Sequence, residues 1–285
     1  MTTTKPDVSP TAAGSGANAS EAARASAARH GQAASSQERL STVAHDVIDA
    51  VNAVIREHKI TYPEFQTAKR WLMEVGENGE WPLFLDVFVE HVVEEVAAES
   101  QQGTVGSIEG PYYLPDQQHF PPVTTLPMRD DEPGTLLVLA GQVRDLAGAP
   151  LPNAEVDIWQ NAADGFYSGF APHLPEGLLR GVVTVDEDGR FEITTILPAP
   201  YQIPTDGPTG KLIKTAGWHA WRPAHLHLMV RAEGFRQITT QLYFAGGEYL
   251  DGDVASAVKD DLVLDPKPGP DGRLRVDYDF VLERA

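Results

Sequence analysis

The chain of 285 residues is long enough for one large domain or two modest ones around a real hydrophobic core. Its 22 Lys and Arg against 41 Asp and Glu give a formal charge of −19, which repels phosphate backbones and anionic headgroups and makes nucleic acid a poor partner. No apolar run approaches the ~18 residues of a membrane span, and the absence of cysteine excludes disulfides, thiolate nucleophiles and Cys-ligated zinc or iron-sulfur sites, leaving His, carboxylate and phenolate as metal ligands.

Residues 1–36 are mostly Ala, Ser, Thr and Gly, with Val8 the only large aliphatic residue after Met1, and read as a disordered tail. The tail has no apolar run and only two arginines, unlike a secretory signal or a transit peptide, so the cytoplasm is the default location. From about residue 37, Leu40, Val43, Val47, Val51 and Val54 recur at helical spacing and predict a first helix running to about His58. Pro63 opens a second helix that Gly76 and Gly79 end. Pro82 opens a third, WPLFLDVFVEHVVEEVAAES, in which Leu85, Phe88, Val92 and Val96 form a stripe that Val89 and Val93 widen. So broad a stripe predicts burial on two sides, one of them by another subunit.

After Gly103 the pattern becomes alternation punctuated by Pro and Gly. TLLVLAGQVRD, AEVDIWQ, LRGVVTV, RFEITTIL, AHLHLMVRA, QITTQLYF and RVDYDFVL read as strands, and seven short strands imply a β-sandwich. The predicted class is α+β: a mostly-β sandwich catalytic domain over 131–285, preceded by a small helical dimerisation and linker region over 37–130.

His225 and His227 sit two apart on a predicted strand, so both imidazoles leave the same face, while Ala224, Leu226, Leu228 and Val230 take the other. Two imidazoles in one cleft are a pair of neutral nitrogen ligands; on a solvated face the same pair is an ordinary surface feature. A cupin would hold a glycine and a glutamate nearer to the pair than Gly217 and Glu233 lie, and the spacing here does not fit. Tyr167 and Tyr201 stand at strand exits in loops stiffened by Gly165 or by Pro198, Pro200 and Pro204. Such tyrosines serve as amphipathic plugs or, beside a high-valent cation, as phenolate ligands. Two phenolates with two imidazoles favour Fe(III).

DIWQNAADGFYS, LPAPYQIPTDGPTG, WRPAHLHL and TTQLYF, in this order, together resemble the intradiol ring-cleavage dioxygenases, and most nearly their actinobacterial catechol-cleaving members. The resemblance runs from about residue 40 to residue 285 and includes SIEGPYYLP. It implies one Fe(III) per subunit on Tyr167, Tyr201, His225 and His227, with Tyr201 as both ligand and base. It further implies Arg222 and Gln241 as residues acting at the reacting centre, and a cleft lined by Leu83, Asp86, Ile108, Gly110, Pro111, Tyr112, Val254 and Ala255. The implied reaction inserts oxygen from O2 between the two hydroxylated carbons of catechol to give cis,cis-muconate, with no flavin or nicotinamide. A homodimer through the helical region, with a phospholipid-like amphiphile bound there, is also implied.

Catechol is the expected substrate, and the chlorocatechol and hydroxyquinol branches are the alternatives within the family. From another class, GQVRDLAGAPLPNAEVDIWQ followed by DEDGRFEITTILPAPY resembles transthyretin-like and cell-surface binding modules. That reading explains the strands but gives no use to Tyr167, Tyr201, His225 and His227 together.

Overall fold

The computed structural model describes residues 36–285, so the expected tail lies outside the described residues apart from Ser36. The Ser36 side chain accepts from the Arg39 amide at 3.2 Å and starts α1 (Gln37–His58). A capping box between Thr61 and Glu64, with Pro63 in the first turn, starts α2 (Tyr62–Glu77).

The single third helix expected from Pro82 onward is instead two: α3 (Trp81–Phe88) and α4 (Glu90–Ala98). They meet at Val89, whose φ of −129° breaks the helical path. The expected stripe is also displaced, because Leu83 and Val87 are the buried residues of this segment while Leu85, Val89, Val92, Val93 and Val96 stay exposed. The break turns α4 so that Glu90 reaches back to accept the amides of Glu109 at 2.7 Å and Gly110 at 3.4 Å. A straight amphipathic helix would have kept the apolar stripe in register but left those amides to other partners.

All seven expected strands form, now joined by shorter ones. One sheet has the order β1 (His119–Phe120), β5 (Arg180–Thr184), β4 (Glu155–Trp159), β9 (His225–Arg231), β10 (Ile238–Phe244) and β11 (Val263–Leu264). The other runs β12 (Lys267–Pro268), β13 (Leu274–Asp277), β3 (Leu136–Asp145), β6 (Arg190–Ile196) and β2 (Val123–Thr125), with β14 (Phe280–Leu282) also on β3. The expected last strand is thus split in two. Its break at Tyr278 and Asp279 is filled by the Asp279 carboxylate, which accepts the Gln142 amide at 3.0 Å in place of a backbone carbonyl. A two-stranded ribbon of β7 (Tyr201–Gln202) and β8 (Trp221–Arg222), joined through α5 (Pro208–Ala216), stands beside the sandwich.

The inner faces of the sheets form the main core, in which Leu137, Leu139, Val156, Ile158, Ile193, Leu226, Leu228, Val230 and Leu242 are buried. Alternation along β9 sends His225 and His227 to the outer face. There a second, aromatic-rich cluster joins Tyr112, Tyr113, Trp159, Tyr167, Tyr201 and Met229 to Leu83 and Val87 of α3.

Gly141 marks how closely β3 meets the break in the last strand, since a Cβ built there would fall 1.8 Å from the Tyr278 carbonyl oxygen. Gly141→Ala is expected to destabilise the protein by about 2–4 kcal/mol through this backbone clash. Chemical denaturation checks it, with the midpoint falling at unchanged slope.

Candidate active site

Four side chains from three chain segments converge on the outer face of the first sheet. His225 and His227 come from β9, Tyr201 from β7, and Tyr167 from the loop after β4; all four are buried. The Tyr167 hydroxyl lies 3.2 Å from Nε2 of His227, and the two Nε2 atoms lie 3.0 Å apart. His225 turns its Nδ1 edge to the Pro223 carbonyl at 2.7 Å, while His227 has the Gln241 amide nitrogen 3.2 Å from its Nδ1 and a hydrogen bond to the Glu109 backbone. With the His225 Nδ1 proton committed to Pro223, its Nε2 is left as an acceptor facing Nε2 of His227. Two imidazole nitrogens and buried phenol oxygens converging on one point are a donor set that fits a metal.

Electrostatics act in the same sense. Burial, and after it the Arg222 charge, lowers the pKa of His225 to about 3, and burial holds His227 well below the ordinary range, so both rings are neutral at neutral pH. Burial raises Tyr167 and Tyr201 above the ordinary phenol value. For Tyr201 the rise is opposed by the charge of Arg222 and by hydrogen bonds from Tyr167 and Arg222, which favour the anion. Among the described residues no group of three or more His, Asp or Glu could hold a metal, so a metal at this site would need the phenols as ligands.

Behind the imidazoles lies a buried polar network. The Arg222 guanidinium donates through Nε and Nη2 to both carboxylate oxygens of Asp253, each at 3.0 Å, through Nη2 to Gln241 Oε1 at 2.9 Å, and through Nη1 toward His225 Nε2 at 3.2 Å. Tyr243 also donates to Gln241 Oε1, so the Gln241 amide nitrogen faces the Ile108 carbonyl at 2.9 Å and the His227 ring at 3.2 Å. Asp253 in turn accepts the amides of Ala255 at 3.1 Å and Ala257 at 3.2 Å, fixing the loop that carries Val254 and Ala255.

The residues expected to line the cleft divide into groups. Leu83, Tyr112 and Val254 pack in the same cluster as Tyr167 and Tyr201, with the Tyr112 and Tyr167 rings stacked at 4.3 Å. Ile108 and Ala255 form a small cluster with Ala257. Gly110, at φ +71°, lets the chain turn beside the His227 ring, with half-buried Pro111 next to it. Asp86 belongs to a group of carboxyls with Glu90 and Glu109, and its pKa is pushed up to about 8 by burial first and then by those two neighbours. A cavity of about 590 Å³, lined by Phe88, Trp218, His219, Leu250, Asp253 and Val254, adjoins the site.

The family model described as "Dioxygenase" matches residues 108–284, and the one described as "Catechol dioxygenase N terminus" matches residues 37–105. The chain belongs to the intradiol ring-cleavage dioxygenases. The chlorocatechol 1,2-dioxygenase of Rhodococcus opacus is 45% identical over 244 residues, covering 82% of this chain and 94% of its own. The crystal structure of the 3-chlorocatechol 1,2-dioxygenase from that species is similar at a TM-score of 0.84 and 47% identity, over 88% of this chain and 100% of that one. The catechol 1,2-dioxygenase of Acinetobacter baylyi is 34% identical over 80% of this chain and 76% of its own.

This intradiol dioxygenase is therefore an oxidoreductase of aromatic catabolism acting on catechol-type substrates, from a family that uses iron(III). Its mostly-β domain with a helical region before it is the fold that the residues predict. Asp253, Tyr243, Trp159 and Glu90 escaped the sequence reading. The first two flank singled-out residues in sequence or share a strand with them, but Tyr243 reaches the site only through the register of β9 on β10, which pairs His225 with Tyr243, and Asp253 only through its ion pair with Arg222. Trp159 pairs with His227 in the same way and stacks on its ring at 4.9 Å.

Removing Asp253 leaves the Arg222 charge buried and unpaired, so Asp253→Ala is expected to cost about 3–5 kcal/mol. Pairing it with Arg222→Met should recover much of that loss in denaturation experiments. Asp86 carries a pH signature. Its pKa is 3.8 in the ordinary state and about 8 when folded, so the unfolded chain loses this proton first as pH rises through that window, and folding stability falls. Asp86→Asn removes the effect: its stability relative to the parent should climb from about pH 4 to about pH 8 and then level off, as denaturation across that range will measure.

Proposed function

We propose that this chain is a cytoplasmic chlorocatechol 1,2-dioxygenase that holds one Fe(III) per subunit on Tyr167, Tyr201, His225 and His227. The metal reading is carried by the two neutral Nε2 atoms that converge at 3.0 Å beside a buried phenol. The choice of branch is supported by 45% identity to a chlorocatechol 1,2-dioxygenase against 34% to a catechol 1,2-dioxygenase. Chlorocatechol thus replaces catechol, the substrate expected from sequence, as the preferred one.

Iron(III) bound here supplies a Lewis acid that chelates the diol and makes its ring reactive toward O2 without an external reductant. The protein does the rest. Tyr201, hydrogen-bonded with Tyr167 and Arg222, takes up a diol proton at Oη. Arg222, fixed by Asp253 on one side and Gln241 on the other, offers its remaining edge to negative charge developing on the ring. Gln241 holds the His227 ring from behind. Leu83, Ile108, Tyr112, Val254 and Ala255 pack the ring edge and exclude water, with Asp86, Gly110 and Pro111 completing the wall. Both oxygen atoms end in the two carboxyls of the muconate product.

Within the helical region of residues 37–130 we further assign α1 to dimerisation; β1, β2 and the segment carrying Ile108, Gly110 and Tyr112 serve catalysis together with residues 131–285. On α1, Leu40, Val43, Val47, Val51 and Val54 are all 45–62% exposed, and α1 buries no residue in its own chain. A second copy, with a phospholipid-like amphiphile between the two, would cover that face. No helix among the described residues is long and apolar enough to cross a membrane.

The purified protein should contain one iron per subunit and show a visible phenolate-to-iron band that Tyr167→Phe weakens at full iron loading. Its kcat/KM for 3-chlorocatechol should exceed that for catechol, since a well-filled apolar pocket position discriminates by about 1–3 kcal/mol. A preference of about tenfold or more for catechol, or for hydroxyquinol, would assign another branch without changing the chemistry. Sedimentation should give a dimer at micromolar concentration; a monomer would count against the helical interface, and mass spectrometry of an organic extract tests the amphiphile separately.

A further inference from the structure

Arg180 opens β5 and is 1% exposed, yet among the described residues no carboxylate comes within ion-pair distance of it. Two other arginines are paired, Arg222 with Asp253 at 3.0 Å and Arg231 with Glu155 at 2.6 Å. Asp157 acts on Arg180 from further away and is already engaged by the Tyr113 hydroxyl at 3.2 Å and Arg231 at 3.8 Å. The Arg180 guanidinium instead donates to two carbonyls, that of Ser168 at 2.8 Å and that of Tyr112 at 3.3 Å, and its buried Nε has no partner. A buried cation with no ion-pair partner is costly, and a neutral side chain would fill the space without that penalty.

Those two carbonyls flank one feature. Ser168 follows Tyr167 in the chain, and Tyr112 stacks on the Tyr167 ring at 4.3 Å with the planes 9° apart. Sheet register adds a second link. Arg180 pairs with Trp159 across β5 and β4, Trp159 with His227 across β4 and β9, and His227 with Gln241 across β9 and β10. Paired residues project from the same face, so Arg180 ends a row of four side chains that runs through the imidazole.

We propose that Arg180 is a positioning residue for Tyr167: it ties together the two carbonyls that hold the Tyr112–Tyr167 stack and gives that side of the site a fixed positive charge favouring an anionic oxygen donor. This rests on the iron-site reading above, in which Tyr167 is a ligand. Arg180 touches neither substrate nor metal and works only through the phenol.

The test compares the iron-loaded parent with Arg180→Gln, Arg180→Met and Arg180→Lys, measuring iron affinity, the wavelength of the visible phenolate band, melting temperature and kcat/KM. The neutral variants should bind iron about 10–100-fold more weakly and move the band. The Lys variant, which keeps the charge without the fork, should retain the band while kcat/KM falls about tenfold. A merely structural arginine would lower the melting temperature and leave the band in place. The proposal is overturned by a folded neutral variant with the parent's band and iron affinity. Where neither neutral variant folds, a folded Lys variant with a displaced band, or with parental kcat/KM, overturns it. A parent protein with neither iron nor a band would instead remove the site reading itself, and this inference with it.

Discussion

Strand β9 must satisfy two environments with one backbone. Leu226, Leu228 and Val230 fill the space between the sheets, while His225 and His227 leave the opposite face into a second buried cluster. A side-chain period of two makes these demands inseparable, because a slip of one residue would expose the imidazoles to the core and the aliphatics to the site. Pairing on both edges prevents the slip: β4 and β10 both hydrogen-bond β9, and each sets a residue opposite His227. The packing of the sandwich thereby fixes the position of the nitrogen pair, and the phenols need only be delivered to it.

Delivery falls to loops, and the loops are restrained by polar contacts. Gly165 is at φ +88°, and a Cβ there would lie 3.2 Å from Cβ of Tyr201, so the loop bearing one tyrosine passes close to the strand bearing the other. Asp253 has a comparable part on the far side. Its carboxylate binds Arg222 and also the amides of Ala255 and Ala257, so the guanidinium beside the imidazole and the loop of Val254 and Ala255 share one anchor. A fully buried ion pair contributes little net stability because desolvation offsets attraction. What it provides is geometry, since neither group can move without stranding a charge.

Much of this was legible in the residues, and the limit has a physical cause. Period-two runs located seven strands, helical apolar spacing, a proline and two glycines located the first two helices, and a His-x-His on a strand with tyrosines at strand exits pointed to the site. What sequence cannot supply is register across strands. Arg180, Trp159 and Tyr243 reach the site only because of which residue stands opposite which, and nothing local to their own segments encodes it. The break at Val89 was hidden for a related reason. The run from Pro82 to Ala98 reads as one amphipathic helix, and the chain bends there so that the Glu90 carboxylate meets amides nearly twenty residues later. Substrate branch was the least legible property, because Leu83, Ile108 and Ala255 read as ordinary core whether they enclose a bare ring or a chlorinated one.

The helical region enters this scheme as part of the site's scaffold. Glu90 accepts the amides of Glu109 and Gly110, the turn that lies against the His227 ring. Glu80, itself buried, accepts the Thr209 amide at 2.8 Å, and the Trp71 indole donates to the Pro208 carbonyl at 2.8 Å, so the first turn of α5 is held from two helices. α5 is the link between β7 and β8, which carry Tyr201 and Arg222. Each tie joins a helix to backbone near a functional side chain, and none touches a metal-facing atom. α2, α3 and the turn between them thereby hold the segments that place Tyr201 and Arg222. The exposed stripe of α1 has no such tie, since that helix buries nothing in its own chain. The two halves of the helical region thus divide the work: α1 offers surface, and α2 to α4 brace the site.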